Sequence, residues 1–284
     1  MMPSVLKEGF EYLKERNVPE AEASSEFLLS HTLKVGRAQI QGGLISSISP
    51  DERKRFLELI RRRAAREPLA YVTGVQPFID LEIRCGPGVL VPRPETEELL
   101  IEVFKKFRGR EKEELSFLDI GSGTGAIAIS LARHFKNSRV FAMENSARAR
   151  NWMIKNLGLY PEEAKKIFLL QQDLSRNWEL RGQQLDLIIS NPPYIPSSEI
   201  KKLEIEVLKE PRAALDGGRD GLKYLRRIIS RAPRHLKPQG LLSVEIGFNQ
   251  GSGVKKIMES CGFKQVEIKK DFAGIERFAL ARKD

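Results

Sequence analysis

The sequence predicts an α/β protein in which a mostly parallel, seven-stranded sheet covered on both faces follows a small helical bundle and a β-hairpin linker. Three observations predict this. Beyond about residue 95, short apolar runs alternate with amphipathic helical stretches, the signature of strand and helix units in a parallel sheet. The last two runs have no helix between them, so an antiparallel hairpin is expected at one edge. Before about residue 67, apolar residues recur only at helical intervals.

Taken in order, Phe10 and Leu13, then Phe27, Leu28 and Leu29, then Phe56, Leu57, Leu59 and Ile60 mark the bundle. Ser49-Pro50-Asp51-Glu52 reads as a helix start, with Ser49 as N-cap, Pro50 at the first helical position and Glu52 closing a capping box. Glu67-Pro68 ends this domain, expected over residues 1–67. Residues 68–94 carry short extended runs punctuated by Gly74, Pro77, Gly86, Pro87 and Gly88, which predicts a hairpin linker. The domain over 95–284 opens with a helix at 97–107. It continues with strand 115–120, helix 126–135, strand 139–143, helix 147–157, strand 167–171 and strand 185–190. Helix 221–236, strand 241–246, helix 253–260, strand 265–269 and strand 277–281 complete it.

At 284 residues, 41% hydrophobic and 30% charged, the composition is that of a globular protein of two domains. No apolar run reaches the length of a membrane span, and the first residues lack the apolar centre of a secretion signal, so a cytoplasmic protein with no membrane partner is expected. Cys85 and Cys261 are far apart and outside any CxxC spacing; they read as structural thiols. His31, His134 and His235 are scattered, so neither a metal site nor a nucleophile–base pair is predicted. Most of the formal charge of +10 lies in the C-terminal third: residues 200–284 hold nineteen Lys and Arg against eleven Asp and Glu. Glu204, Glu206, Glu210, Asp216 and Asp220 are interspersed there, so the excess reads equally as a solvated surface or as an attraction for nucleic acid or an acidic protein.

Phe117-Leu118-Asp119-Ile120-Gly121-Ser122-Gly123-Thr124-Gly125 runs from a strand into a glycine loop and then a helix. Such a loop turns tightly and lets a ligand approach the backbone at a helix N-terminus. The letters nearly satisfy the dinucleotide fingerprint, with Ala126 in place of its third glycine. Glu144 ends the next strand, about 20 residues on, where a carboxylate accepts hydrogen bonds from ribose hydroxyls in either nucleotide reading. Asp173 follows the third strand, where an adenine amine would be met.

Asn191-Pro192-Pro193-Tyr194 follows the fourth strand directly. In isolation Asn-Pro-Pro marks an ordinary turn. At a strand end in this sheet it delivers a stiff loop rich in acceptors and poor in donors, because two prolines fix φ and remove two N–H groups. The Asn191 side-chain carbonyl, the Pro192 carbonyl and the Tyr194 ring suit a planar NH₂ group that donates two hydrogen bonds while lying against a ring.

Glycine loop, Glu144, Asp173 and NPPY, in that order along successive strand ends, resemble the class I S-adenosylmethionine-dependent methyltransferases that modify exocyclic or amide nitrogen. The whole chain is similar to the PrmC/HemK family of protein-(glutamine-N5) methyltransferases, through Arg66-Glu67-Pro68-Leu69-Ala70-Tyr71-Val72-Thr73-Gly74 and Pro87-Gly88-Val89-Leu90-Val91-Pro92-Arg93-Pro94-Glu95-Thr96-Glu97, the helical N-terminus and NPPY. That resemblance implies S-adenosylmethionine as cofactor, S-adenosylhomocysteine as product, and peptide chain release factors as protein substrate, methylated on the glutamine of a GGQ motif by a monomeric enzyme that does not require nucleic acid. It implies that Gly121, Ser122, Gly123, Thr124 and Gly125 wrap the methionine and ribose portion, that Glu144 holds the ribose, and that Asp173 and Leu174 flank the adenine. Asn191 would touch both cofactor and substrate. Asn191 and the Pro192 carbonyl would accept the glutamine amide, with Pro193 and Tyr194 against it and residues 92–96 as a neighbouring lip. Leu174 departs from the aromatic residue the family often places there, which bears on adenine stacking. Three rivals stay open: a glutamine methyltransferase for a ribosomal protein, an adenine-N6 or guanine-N2 methyltransferase acting on nucleic acid, and a non-catalytic nucleotide-binding module.

Overall fold

The structure is a computed structural model that describes residues 4–45, 47–174, 178–180 and 182–284. The first three residues of the N-terminal reading lie outside the described residues. The chain divides into two compact units, one of Met1–Val75 with Glu204–Lys209, the other of Gln76–Leu203 with Glu210–Asp284.

The first unit contains helices α1 (Ser4–Lys14), α2 (Ala21–Leu33), α3 (Arg37–Gln41), α4 (Pro50–Ala64) and α5 (Leu69–Thr73). Its core is built from Leu6, Leu13, Leu28, Leu29, Ile40, Phe56, Ile60 and Val72. Gly9 on α1 lies directly against the Phe56 ring, where a Cβ would meet the ring at 2.6 Å. The predicted start of α4 is present: the Ser49 hydroxyl accepts from the Glu52 amide at 3.3 Å, and the Glu52 carboxylate accepts from the Ser49 amide at 2.8 Å. The returning segment brings Glu206 to Arg63 (2.7 Å) and Arg66 (2.6 Å). Burial acts to raise the Glu206 carboxyl, but the hydrogen bonds from Arg66 and Arg63 outweigh it and hold the group down at about 2.

Strands β1 (Val75–Phe78) and β2 (Leu81–Arg84) pair as the expected hairpin. Helix α6 (Pro94–Lys106) follows, three residues longer at its start than expected, with Pro94 at the first helical position and Arg93 extended before it. Then come β3 (Ser116–Ile120), α7 (Ala126–His134), β4 (Arg139–Met143), α8 (Ala147–Leu157), α9 (Pro161–Ala164), β5 (Ile167–Leu170) and β6 (Leu185–Ser190). Helix α10 (Ile205–Leu208) belongs to the segment that returns to the first unit. The chain ends with α11 (Lys223–Arg231), β7 (Leu236–Glu245), α12 (Gly251–Ser260), β8 (Phe263–Lys270) and β9 (Glu276–Lys283).

The seven-stranded sheet has the order β5-β4-β3-β6-β7-β9-β8. Its first five strands are parallel, β9 runs antiparallel to β7, and β8 antiparallel to β9. The chain leaves β3 toward β4 and β5, then returns to the other side of β3 with β6, creating the switch point at which open α/β sheets bind ligands. One face is sealed by Phe107, Phe117 and Phe135, edge to face at 5.0–5.8 Å. The other is sealed by Leu225, Ile228, Ile229, Val254 and Met258 from α11 and α12. Cys85 is buried, which pushes its thiol up to about 12 and suits a structural thiol. Among the described residues no helix is long and apolar enough to cross a membrane, and no cluster of His, Cys, Asp and Glu could hold a metal ion.

Candidate active site

Register assembles the site. Ile120 of β3 pairs with Met143 of β4 and with Ser190 of β6, and Ser190 pairs with Val244 of β7. The next residue on each strand, Gly121, Glu144, Asn191 and Glu245, therefore falls on one row along the C-terminal edge of the sheet.

Gly121, Gly123 and Gly125 have φ of +73°, +56° and +84°, a region costly for residues with a Cβ, so the loop requires glycine at all three. The amides of Gly121 and Ser122 both donate to the Met143 carbonyl (2.8 and 3.1 Å), which fastens the loop to the end of β4. Glu144 is fixed from both sides: one oxygen accepts from the Gly123 amide at 2.9 Å and the other from the Ser146 amide at 2.8 Å. Beneath the loop, both Asp119 carboxylate oxygens are buried without a hydrogen-bond partner of normal geometry. Burial, reinforced by the charge of Glu144, pushes the Asp119 carboxyl up to about 7 against weaker pulls from Ser122 and the Ala128 amide.

A cavity of about 300 Å³ opens over this row, within the range of small-molecule sites. Of the residues singled out in the sequence, Gly121, Gly123, Glu144, Asp173, Leu174, Asn191 and Pro193 line it. Ser122, Thr124, Gly125 and Pro192 are buried and outside that lining, and Tyr194 is half-buried and also outside it. Gly88, Val89 and Leu90 form part of its wall and Pro211, Ala213 and Ala214 another; residues 92–96 do not line it, but Thr96 bonds directly to Asn191 beside it. Glu210 joins these walls: it accepts from the Val91 amide at 2.9 Å and pairs with Arg93. Tyr224 of α11 also lines the cavity, alongside Leu174. Neither Glu210 nor Tyr224 carries a local sequence signal, because each arrives from a distant segment.

The Asn191–Tyr194 loop is held from behind. The Asn191 Nδ2 donates to the Thr96 hydroxyl at 2.9 Å, the Thr96 hydroxyl donates to Glu245 Oε2 at 2.7 Å, and the Tyr194 hydroxyl donates to Glu245 Oε1 at 3.0 Å. Gln250 Nε2 donates to the Tyr194 carbonyl at 2.9 Å. Gly217 packs on the Tyr194 backbone so closely that a Cβ would lie 2.8 Å from the Tyr194 Cα. Burial pushes the Glu245 carboxyl up to about 7 despite the Thr96 and Tyr194 hydrogen bonds, and burial beside Glu245 pushes the Tyr194 phenol far up, keeping it neutral. In the sequence Glu245 falls inside the strand expected at 241–246 and carries no signal of this role; only in the structure does it end β7 in step with the other strands.

Comparison with known proteins agrees with this architecture. Residues 4–74 match the family described as PrmC N-terminal domain, and residues 95–220 match the methyltransferase small domain. A release factor glutamine methyltransferase of Geobacter sulfurreducens is 37% identical over 272 residues, covering 95% of this chain and 93% of that protein. One from Moorella thermoacetica is 37% identical over 280 residues, covering 97% and 96%. A methyltransferase structure from Pyrococcus furiosus shares the fold, with a TM-score of 0.53 over 83% of this chain and 99% of that one at 18% identity.

The methyl donor of this methyltransferase class is S-adenosylmethionine. The cavity fits it chemically: carboxylates at Glu144 and Asp173 can accept from ribose hydroxyls and an amine, while Val89, Leu90, Ile120, Met143 and Leu174 offer apolar walls for a planar base and a sulfonium chain. The glycine backbone leaves open space over Gly121, where an added Cβ would meet nothing within 4 Å. Matched along nearly its full length at more than a third identity, the chain belongs to the release factor glutamine methyltransferase family.

Proposed function

We propose that the protein transfers a methyl group from S-adenosylmethionine to the side-chain amide nitrogen (N5) of a glutamine in peptide chain release factors, acting in the cytoplasm as a monomer. The observation that carries this reading is the placement of Asn191 and Pro193 on the wall of the same cavity that Glu144, Asp173 and the glycine loop line. The cofactor supplies a methyl carbon already made electrophilic by the adjacent sulfonium.

An amide nitrogen is a weak nucleophile because its lone pair is delocalised, so the protein's work is position. The Asn191 side-chain carbonyl and the Pro192 carbonyl are the acceptors we assign to the two N–H bonds of the glutamine carboxamide. Holding both aims the nitrogen at the methyl carbon, and positioning of this kind is worth about 7–11 kcal/mol of barrier. Acceptors also favour the positive charge that develops on nitrogen. Gly121 to Gly125 wrap the methionine and ribose portion, Glu144 holds the ribose, Asp173 and Leu174 flank the adenine, and Pro193 and Tyr194 shape the glutamine side of the pocket. The helical first unit is assigned to recognition of the release-factor surface outside the glutamine loop, and residues 68–94 to the link.

The test offers purified release factor, ribosomal proteins, tRNA and DNA to the enzyme with methyl-labelled cofactor. Label on a release-factor glutamine, located by mass spectrometry, is the expected result. Label only on a ribosomal protein or nucleic acid would replace the substrate, and no label anywhere would refute catalysis.

A further inference from the structure

Behind Asn191 lies a one-way chain of hydrogen-bond donors. Asn191 gives an N–H to the Thr96 oxygen (2.9 Å), and Thr96 gives its only proton to Glu245 Oε2 (2.7 Å). The other oxygen of Glu245 takes the Tyr194 proton (3.0 Å). A carboxylate can only accept, and this one is 1% exposed, so as an anion it needs both hydroxyl protons. With its proton committed, Thr96 can only accept from Asn191. The carboxamide of Asn191 is thereby forced to turn its NH₂ toward Thr96 and its carbonyl away from it, since the two ends of that group are otherwise nearly interchangeable in shape.

We propose that Glu245 is a positioning residue for methyl transfer, acting through Thr96 to fix which end of the Asn191 carboxamide faces the substrate amide. This rests on the reading of Asn191 as an amide acceptor. The groups that face Glu245 are Thr96 and Glu95 from α6, Tyr194 from the loop after β6, and Arg277 from β9, the last also paired with Asp271 at 3.3 Å. Burial and Glu95 favour the protonated form of Glu245; Thr96, Tyr194 and Arg277 favour the anion. Once protonated, Glu245 must donate a proton to one of its hydroxyl neighbours. If that neighbour is Thr96, the Thr96 proton is released toward Asn191, and a carboxamide flipped to receive it presents two donors to a substrate that itself has only donors on nitrogen.

The experiment compares Thr96→Val, Thr96→Ser and Glu245→Gln with the wild type in methyl transfer, alongside calorimetry with S-adenosylhomocysteine. Thr96→Val, which keeps the shape and removes the relay, should lower kcat about 10- to 100-fold with cofactor affinity within about twofold, and Thr96→Ser should restore kcat to within about threefold of wild type. The wild-type kcat should fall about tenfold per pH unit on the acid side of a limb near neutrality, and Glu245→Gln should lack that limb. Independently of any substrate, the Asn191 side-chain NH₂ resonances of protein labelled with ¹⁵N-asparagine, assigned by their absence in Asn191→Asp, should shift through the same pH range. An unaffected Thr96→Val, a Thr96→Ser as impaired as the valine variant, a cofactor-affinity loss equal to the kcat loss, or an unchanged acid limb in Glu245→Gln would overturn the proposal. If Thr96→Val does not fold, the serine and glutamine variants and the resonance shift decide it. A wild type that labels no release factor would refute the substrate reading, while the NH₂ resonances would still test the orientation of Asn191.

Discussion

Gly217 rests on the backbone of Tyr194: a Cβ at position 217 would approach both the Cα and the carbonyl carbon of Tyr194 to 2.8 Å. The same stretch is stitched to the loop by hydrogen bonds, Ile195 amide to Leu215 carbonyl at 3.0 Å and Gly217 amide to Ile195 carbonyl at 2.8 Å. Segment 215–217 is thus the rear wall that decides where the Asn191–Tyr194 loop stands. The φ of Gly217 is not in the left-handed region, so an alanine there meets a contact problem rather than a backbone one. Gly217→Ala should push the loop outward and lower kcat about 100-fold, the cost of a displacement of about 1 Å in a positioned site, with little change in cofactor affinity. Steady-state kinetics with calorimetry check this, and an alanine variant of normal kcat would contradict it.

Glu144 serves the backbone before it serves any ligand, since its two oxygens accept from the Gly123 and Ser146 amides. Glu144→Ala should weaken S-adenosylhomocysteine binding by about 10- to 100-fold, the worth of a hydrogen bond or two to a charged group, and Glu144→Gln, which keeps one acceptor oxygen, should fall between. Unchanged affinity in the alanine variant would remove Glu144 from the ribose role.

Asp119 gives a pH signature of folding. Its carboxyl is raised from an ordinary 3.8 to about 7 by burial, so the folded state holds the proton more tightly than the unfolded chain does. The sign follows: the contribution is most favourable below about 4, declines as pH rises, and is lost above about 7. Asp119→Asn removes this titration with little change in shape. Urea unfolding from pH 5 to pH 8 should show the variant gaining on wild type by a few kcal/mol as pH rises. Parallel stability curves would contradict the burial argument.

Much of the fold was legible because parallel strands buried on both faces are written as unbroken apolar runs; strands 139–143 and 185–190 and helix 147–157 have the same bounds in sequence and structure. The misjudged places have local reasons. β7 begins at Leu236, five residues before expectation, because Pro238-Gln239-Gly240 reads as a turn, yet the sheet absorbs it with a register shift opposite Leu185 and Leu187 and a positive φ at Gln239. α5 lies within the stretch expected as a hairpin linker over 68–94, a helix too short to show a period because Pro68 and Gly74 bracket only five residues. Helix 221–236 shortens to α11, with a 3₁₀ turn at Ala232–Arg234 where Pro233 follows. In the site, the glycine loop, Glu144 and Asn191 are readable because each directly follows a strand. Glu210, Gly217, Tyr224 and Glu245 are not, because their roles exist only after distant segments have met.

The most direct measurement of the central claim is a crystal structure with S-adenosylhomocysteine and a glutamine-bearing release-factor peptide bound together. The account predicts the glutamine amide nitrogen about 2.7–3.2 Å from the Asn191 side-chain oxygen, with its NH₂ group facing the cofactor sulfur. A glutamine bound elsewhere, or an Asn191 oxygen turned from it toward Thr96, would contradict the account.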